Sequence, residues 1–140
     1  VGNSQIIQGL RTIKTNLDYG IFAALQTAAQ TALELPDEYV TKVQERYRER
    51  RDFMISGLAE LGWQIKPTKA TMYLWIPCAV GWNSTDFALM VFQKTGVVFT
   101  PGNASGIGGE GYVRISLIAD LDRLGEAIER LTAAGIRYQE

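Results

Sequence analysis

Apolar positions recur along this chain with helical spacing over its first part and with strand-like alternation further on. Ile6, Ile7, Leu10 and Ile13 fall on one side of a helix over residues 4–14. Asn16-Leu-Asp-Tyr-Gly20 breaks the pattern. A second helix is expected over 21–33, where Ile21, Leu25, Ala28, Ala29 and Ala32 repeat and the alanines permit close packing. Pro36-Asp37 opens a long helix reaching Leu61, with Val40, Val43, Tyr47, Met54, Leu58 and Leu61 as one continuous stripe and Gly62 placed to end it.

From there the period shortens. Residues 63–66 and 71–77 read as strands, the second apolar on both faces and therefore expected to be central and covered. Asn83-Ser-Thr85 can cap a helix over 86–95 that Gly96 closes. Residues 97–100 and 112–118 read as strands separated by a glycine-rich loop over 101–111. Asp120 caps a last helix with Leu121, Leu124, Ile128 and Leu131 as its stripe. The expected fold is α+β: a small mixed β-sheet of about four strands packed with helices, preceded by a helical segment and a long connecting helix. Residues 1–35 form the opening segment and 36–140 the sheet domain.

Composition narrows the function classes. Of the 140 residues, 46% are hydrophobic and 21% charged, an ordinary globular balance. No apolar run is long enough to span a bilayer, and the first residues lack a secretory pattern. Val1 in place of Met points to a chain cut from something longer. A net charge of −1 argues against a dedicated nucleic-acid binder. With no histidine, a Ser-His-Asp triad, a Cys-His dyad and a His-bearing zinc site are excluded within the chain, and no metal is expected. The single cysteine, Cys78, cannot form an internal disulfide, which fits a reducing cytoplasm, and reads as a small core residue.

Candidate chemistry centres on Arg114. On strand 112–118, Val113, Ile115 and Leu117 share a core face, while Tyr112, Arg114 and Ser116 share the other. A guanidinium is shaped to grip a carboxylate through two parallel hydrogen bonds, although a structural ion pair or a solvent-facing edge residue gives the same pattern. Gly106-Ile-Gly108-Gly-Glu-Gly111 matches G-x-G-x-x-G in letters. A strand follows it where a dinucleotide site needs a helix, so it reads as a mobile or tightly turning loop placed to cover whatever Arg114 binds. Arg46, Arg48, Arg50 and Arg51 alternate with Glu45, Glu49 and Asp52, a solvated helix face. Trp63, Trp75, Trp82 and Tyr73 read as core and rim aromatics around the sheet.

These residues also carry a resemblance. Pro101-Gly102, then Gly109-Glu110-Gly111-Tyr112-Val113-Arg114-Ile115-Ser116, resembles the C-terminal signature of class I/II aminotransferases of fold type I, whose arginine binds the substrate α-carboxylate. Ala70-Thr71-Met72-Tyr73-Leu74-Trp75 is similar to that family's small-domain strand, and Arg50-Arg51-Asp52 to its interdomain helix. Lys14-Thr15-Asn16-Leu17-Asp18-Tyr19-Gly20 resembles the segment near its dimer interface, and within it Asn16-Leu17-Asp18-Tyr19-Gly20 is similar to the branch holding diaminopimelate aminotransferases. Val1-Gly2-Asn3 resembles the end of a strand just past the cofactor lysine. The likeness extends over essentially the whole chain. Ser105 departs from it, since many relatives carry phenylalanine in that loop.

The resemblance implies an amino-acid aminotransferase parent that is a homodimer and uses pyridoxal phosphate as electron sink. It assigns residues 1–35 to a remnant of the cofactor-binding domain and 36–140 to the small domain. It makes Arg114 the carboxylate-binding residue and Asn16 a second substrate-binding candidate. None of Lys14, Lys42, Lys66, Lys69 and Lys94 stands in the Ser-Lys-(Ser/Thr) context, so the Schiff-base lysine and the aspartate on the pyridine nitrogen are expected upstream of Val1. The chain alone is then expected to be inactive and not to hold the cofactor. The competing reading is a free-standing, non-catalytic α+β ligand-binding or dimerisation domain.

Overall fold

The computed structural model describes residues 2–18 and 20–138. The chain divides into two compact units, Val1–Val40 and Thr41–Glu140. The first holds α1 (Ser4–Leu17), α2 (Ala23–Leu33) and the start of α3 (Asp37–Glu60). Asn3 caps α1, its Oδ1 accepting from the amides of Gln5 and Ile6. The helix outlasts its expected end because Asn16 stays helical, its side-chain amide donating to the Thr12 carbonyl at 2.7 Å. The break arrives at Asp18, whose backbone turns extended; Tyr19 of the expected break lies outside the described residues. Every described residue of this unit is exposed.

The second unit holds the core. After α3 come β1 (Tyr73–Pro77), α4 (Ser84–Thr95), β2 (Thr100–Pro101), β3 (Tyr112–Ser116) and α5 (Leu121–Ala133). The sheet runs β1-β3-β2, and both pairings are antiparallel. Met54 and Leu58 of α3, Phe87 and Val91 of α4, Leu124 and Leu131 of α5 and Leu74, Ile76, Val113 and Ile115 of the sheet are all buried. Caps agree with the sequence: Asn83 Oδ1 accepts from Asp86 N, Asp120 Oδ1 from Arg123 N, and Gly96 closes α4 at φ 70°.

The α+β architecture is the expected one, and its differences are local. The sheet has three strands among the described residues and is antiparallel rather than mixed. Residues 63–66 join no ladder. The Trp63 amide instead closes α3 on the Leu58 carbonyl, and its indole N–H donates to the Pro77 carbonyl at 2.9 Å. Residues 97–99 likewise stay unpaired, and only Thr100–Pro101 reaches β3. Strand β1 starts at Tyr73 because Thr71 takes φ 75°, a left-handed conformation that a β-branched residue rarely adopts, and receives the Tyr73 amide on its Oγ1. β1 is also not the central strand: β3 is, and β1 lies at the edge with one face open. The apolar stripe of α3 divides in the same way. Its Met54–Leu61 half enters the core, whereas Val40 remains 49% exposed.

Candidate functional site

The open face of the sheet is set by strand alternation. Trp75, Arg114 and Thr100 are register partners across β1, β3 and β2, so their side chains rise from the same face. The opposite face, with Leu74, Ile76, Val113 and Ile115, is buried and anchors the platform. Tyr73 is the diagonal neighbour of Arg114, and the Arg114 guanidinium carbon lies 4.3 Å from its ring centroid. Tyr112 stacks on Trp75 with ring centroids 6.0 Å apart and planes 19° from parallel. The half-buried Arg114 thus lies over one aromatic ring, that of Tyr73. Among the described residues the Arg114 side chain makes no ion pair and no hydrogen bond, and the ring of Tyr73 is its contact.

The glycine-rich segment before β3 is tightly turned. It forms two 3₁₀ turns, Gly102–Ser105 and Ile107–Gly109. A Cβ on Gly102 would stand 2.0 Å from the Gly109 carbonyl oxygen, and one on Gly109 2.1 Å from that of Gly102. Only glycine at both positions allows this crossing. Ser105 is exposed. Glu110 ends the segment. Its Oε1 accepts from Ser84 N at 2.8 Å and Gly111 N at 3.0 Å, and its Oε2 accepts from Ser84 Oγ at 3.0 Å. These bonds, the Ser84 amide first and the Gly111 amide next, hold the Glu110 carboxyl below the usual carboxylate range.

Asn16 belongs to the first unit, on α1. The arginine group of α3 is less solvated than expected. Arg50 donates to the carbonyls of Leu117 and Ile118, and Arg51 to that of Thr68, so both staple loops of the second unit to the helix. Cys78 is buried, and burial followed by the nearby Glu110 charge pushes its thiol up to about 11. Two features of the site escaped the sequence reading. Tyr73 beneath Arg114 depended on the pairing register. The Glu110–Ser84 link depended on a fold that brings positions 26 apart together; its one signal was a lone carboxylate inside a glycine run.

The class I and II aminotransferase family model matches residues 1–131. The LL-diaminopimelate aminotransferase of Halothermothrix orenii is 48% identical over 139 residues, covering 99% of this chain and 36% of that protein. Among solved structures, apo BacF from Bacillus subtilis superposes with a TM-score of 0.89 at 31% identity, over 100% of this chain and 36% of its own. An aminotransferase from Staphylococcus aureus gives 0.87 at 34%, over 99% and 37%. The chain therefore spans about a third of the length of the relatives it matches.

Proposed function

This chain belongs to the class I and II aminotransferases, and from that premise we propose that it supplies the α-carboxylate half of a transaminase site, with Arg114 as the residue that grips the substrate. The observation that carries the reading is the Arg114 guanidinium itself, seated on Tyr73 with no protein partner among the described residues. A carboxylate presents two oxygens at the spacing of the guanidinium fork, and the Tyr73 ring on one side of the guanidinium limits how it can turn. Held that way, an amino acid keeps its reacting carbon at a fixed distance and tilt from whatever acts on it, which is a positioning contribution.

Pyridoxal phosphate is the cofactor of this family, and it supplies electron withdrawal at the α-carbon when bound. We assign it no cradle among the described residues of this chain. All five lysines are exposed, and the Lys14 ammonium is spent on Asp18 at 2.8 Å. The Schiff-base lysine and the cofactor's ring contacts are therefore assigned to other parts of the whole enzyme. Asn16 of α1 would be a second contact to substrate, and the active assembly a homodimer. The amino donor that the relatives' names suggest is LL-diaminopimelate, whose α-carboxylate Arg114 would hold. The test is Arg114→Lys in the whole enzyme: a sharp fall in kcat/KM for the amino acid with little change in melting temperature supports the reading, and unchanged kinetics refutes it.

A further inference from the structure

Glu110 accepts three hydrogen bonds, two from the completely buried Ser84 and one from the Gly111 amide. Ser84 is the first residue of α4, so the carboxylate sits where the helix presents unpaired amides and the positive end of its dipole. The same carboxylate holds Gly111, whose carbonyl receives the Cys78 amide at 2.9 Å and so extends the β1–β3 ladder past Tyr112. Just ahead, the Gly102–Gly109 crossing fixes the loop from the other side. Asn103 adds a second tie to α4, its side-chain amide donating to Thr85 Oγ1 at 2.9 Å.

Resting on the reading of Arg114 as the carboxylate grip, we propose that Glu110 is a positioning residue for substrate. By latching the loop to the start of α4, it sets where β3 begins, and with it the seating of Tyr112 and Arg114. Release of the latch leaves Gly111 free to slide relative to Cys78. Tyr112 then loses its stack on Trp75, and the guanidinium loses its fixed approach to the carboxylate. Because the grip acts on bound substrate and transition state alike, the effect falls on KM more than on kcat.

The chemistry of the latch predicts which replacement restores it. A glutamine at this position keeps one oxygen to accept from both amides, and its NH₂ can donate to the Ser84 hydroxyl, which rotates to accept. Alanine keeps none of these bonds. Aspartate keeps the charge and loses the reach.

The experiment is steady-state kinetics of the whole enzyme with Glu110→Ala, Glu110→Gln and Arg114→Lys, alongside melting temperatures. KM for the amino acid should rise about tenfold in Glu110→Ala with kcat within about threefold of the parent, and Glu110→Gln should return KM to within about threefold. Should Glu110→Ala fail to fold, Glu110→Asp takes its place and should raise KM in the same direction. An unchanged KM in a folded Glu110→Ala or Glu110→Asp enzyme, while Arg114→Lys raises it, overturns the latch alone. An unchanged KM in Arg114→Lys overturns the carboxylate reading and the latch with it.

Discussion

The guanidinium of Arg114 rests on the ring of Tyr73, its carbon 4.3 Å from the ring centroid, and this contact orients a cation that no carboxylate of the described chain neutralises. Lysine at position 114 would keep the charge and lose the planar fork, leaving one contact of poorer geometry to the substrate. In the whole enzyme Arg114→Lys should lower kcat/KM about tenfold to a hundredfold, the worth of a charge-assisted bond. Tyr73→Phe should be nearly silent, because the ring and not the hydroxyl meets the guanidinium, whereas Tyr73→Ala should raise KM. A Tyr73→Ala enzyme with parental KM would show that the ring does not orient the arginine.

Arg114 was legible because strand alternation is a local property: Val113 and Ile115 pointed inward, so Arg114 pointed out. The helix caps at Asn83 and Asp120 were legible for the same reason, each being decided within one turn. What could not be read depends on partners distant in sequence. Residues 63–66 have strand-like composition, but whether they pair is decided by where the Pro77 carbonyl ends up, and Trp63 meets it with its indole instead of its backbone. The edge position of β1 follows from β3 inserting between β1 and β2, a choice of topology that no window of sequence contains.

Cys78 offers a test of core integrity that needs no activity. Its thiol is pushed up to about 11 from an ordinary 9.0, first by burial and then by the Glu110 charge. At mildly alkaline pH the native chain should therefore hold roughly a hundredfold less thiolate than the unfolded one, with access hindered besides. Iodoacetamide should label Cys78 slowly in buffer and quickly in urea. Rapid stoichiometric labelling of the native chain would contradict the burial described.

The chain by itself should not be marked by the family cofactor at any one place. Its lysines are all exposed and none stands in the Ser-Lys-(Ser/Thr) context, so pyridoxal phosphate followed by borohydride should give low, scattered modification. Peptide mapping decides this. Trapping concentrated on a single lysine would mean that the chain contains a cofactor site of its own.

The first unit should make the chain by itself self-associate. Ile6 is 71% exposed, Leu10 53% and Ile13 55%, all on one side of α1, and an apolar stripe of that size seeks cover. Sedimentation velocity should show species that grow with concentration, and Leu10→Ser combined with Ile13→Ser should reduce them. A monomer at every concentration, with α1 amides strongly protected from exchange, would count against this.

The Glu110 latch makes a last prediction, about acid. Its carboxyl titrates below its ordinary 4.5 in the folded chain, through the amides of Ser84 and Gly111. The unfolded chain therefore binds more protons in the acid range, and the contribution of Glu110 to stability is present in full above 4.5 and lost as pH falls through the lowered folded value. Glu110→Gln keeps most of the hydrogen bonds but cannot titrate, so it isolates the charge. Urea unfolding midpoints of the two proteins should differ most at pH well above 4.5 and converge as the pH falls through the lowered folded value, where the parent carboxyl becomes protonated as well. The other carboxylates, Asp18 beside Lys14 among them, titrate in both proteins and cancel in the difference. Midpoints that stay parallel across that range would mean that the charge of Glu110 contributes nothing at the start of α4, and that the latch works through hydrogen-bond geometry alone.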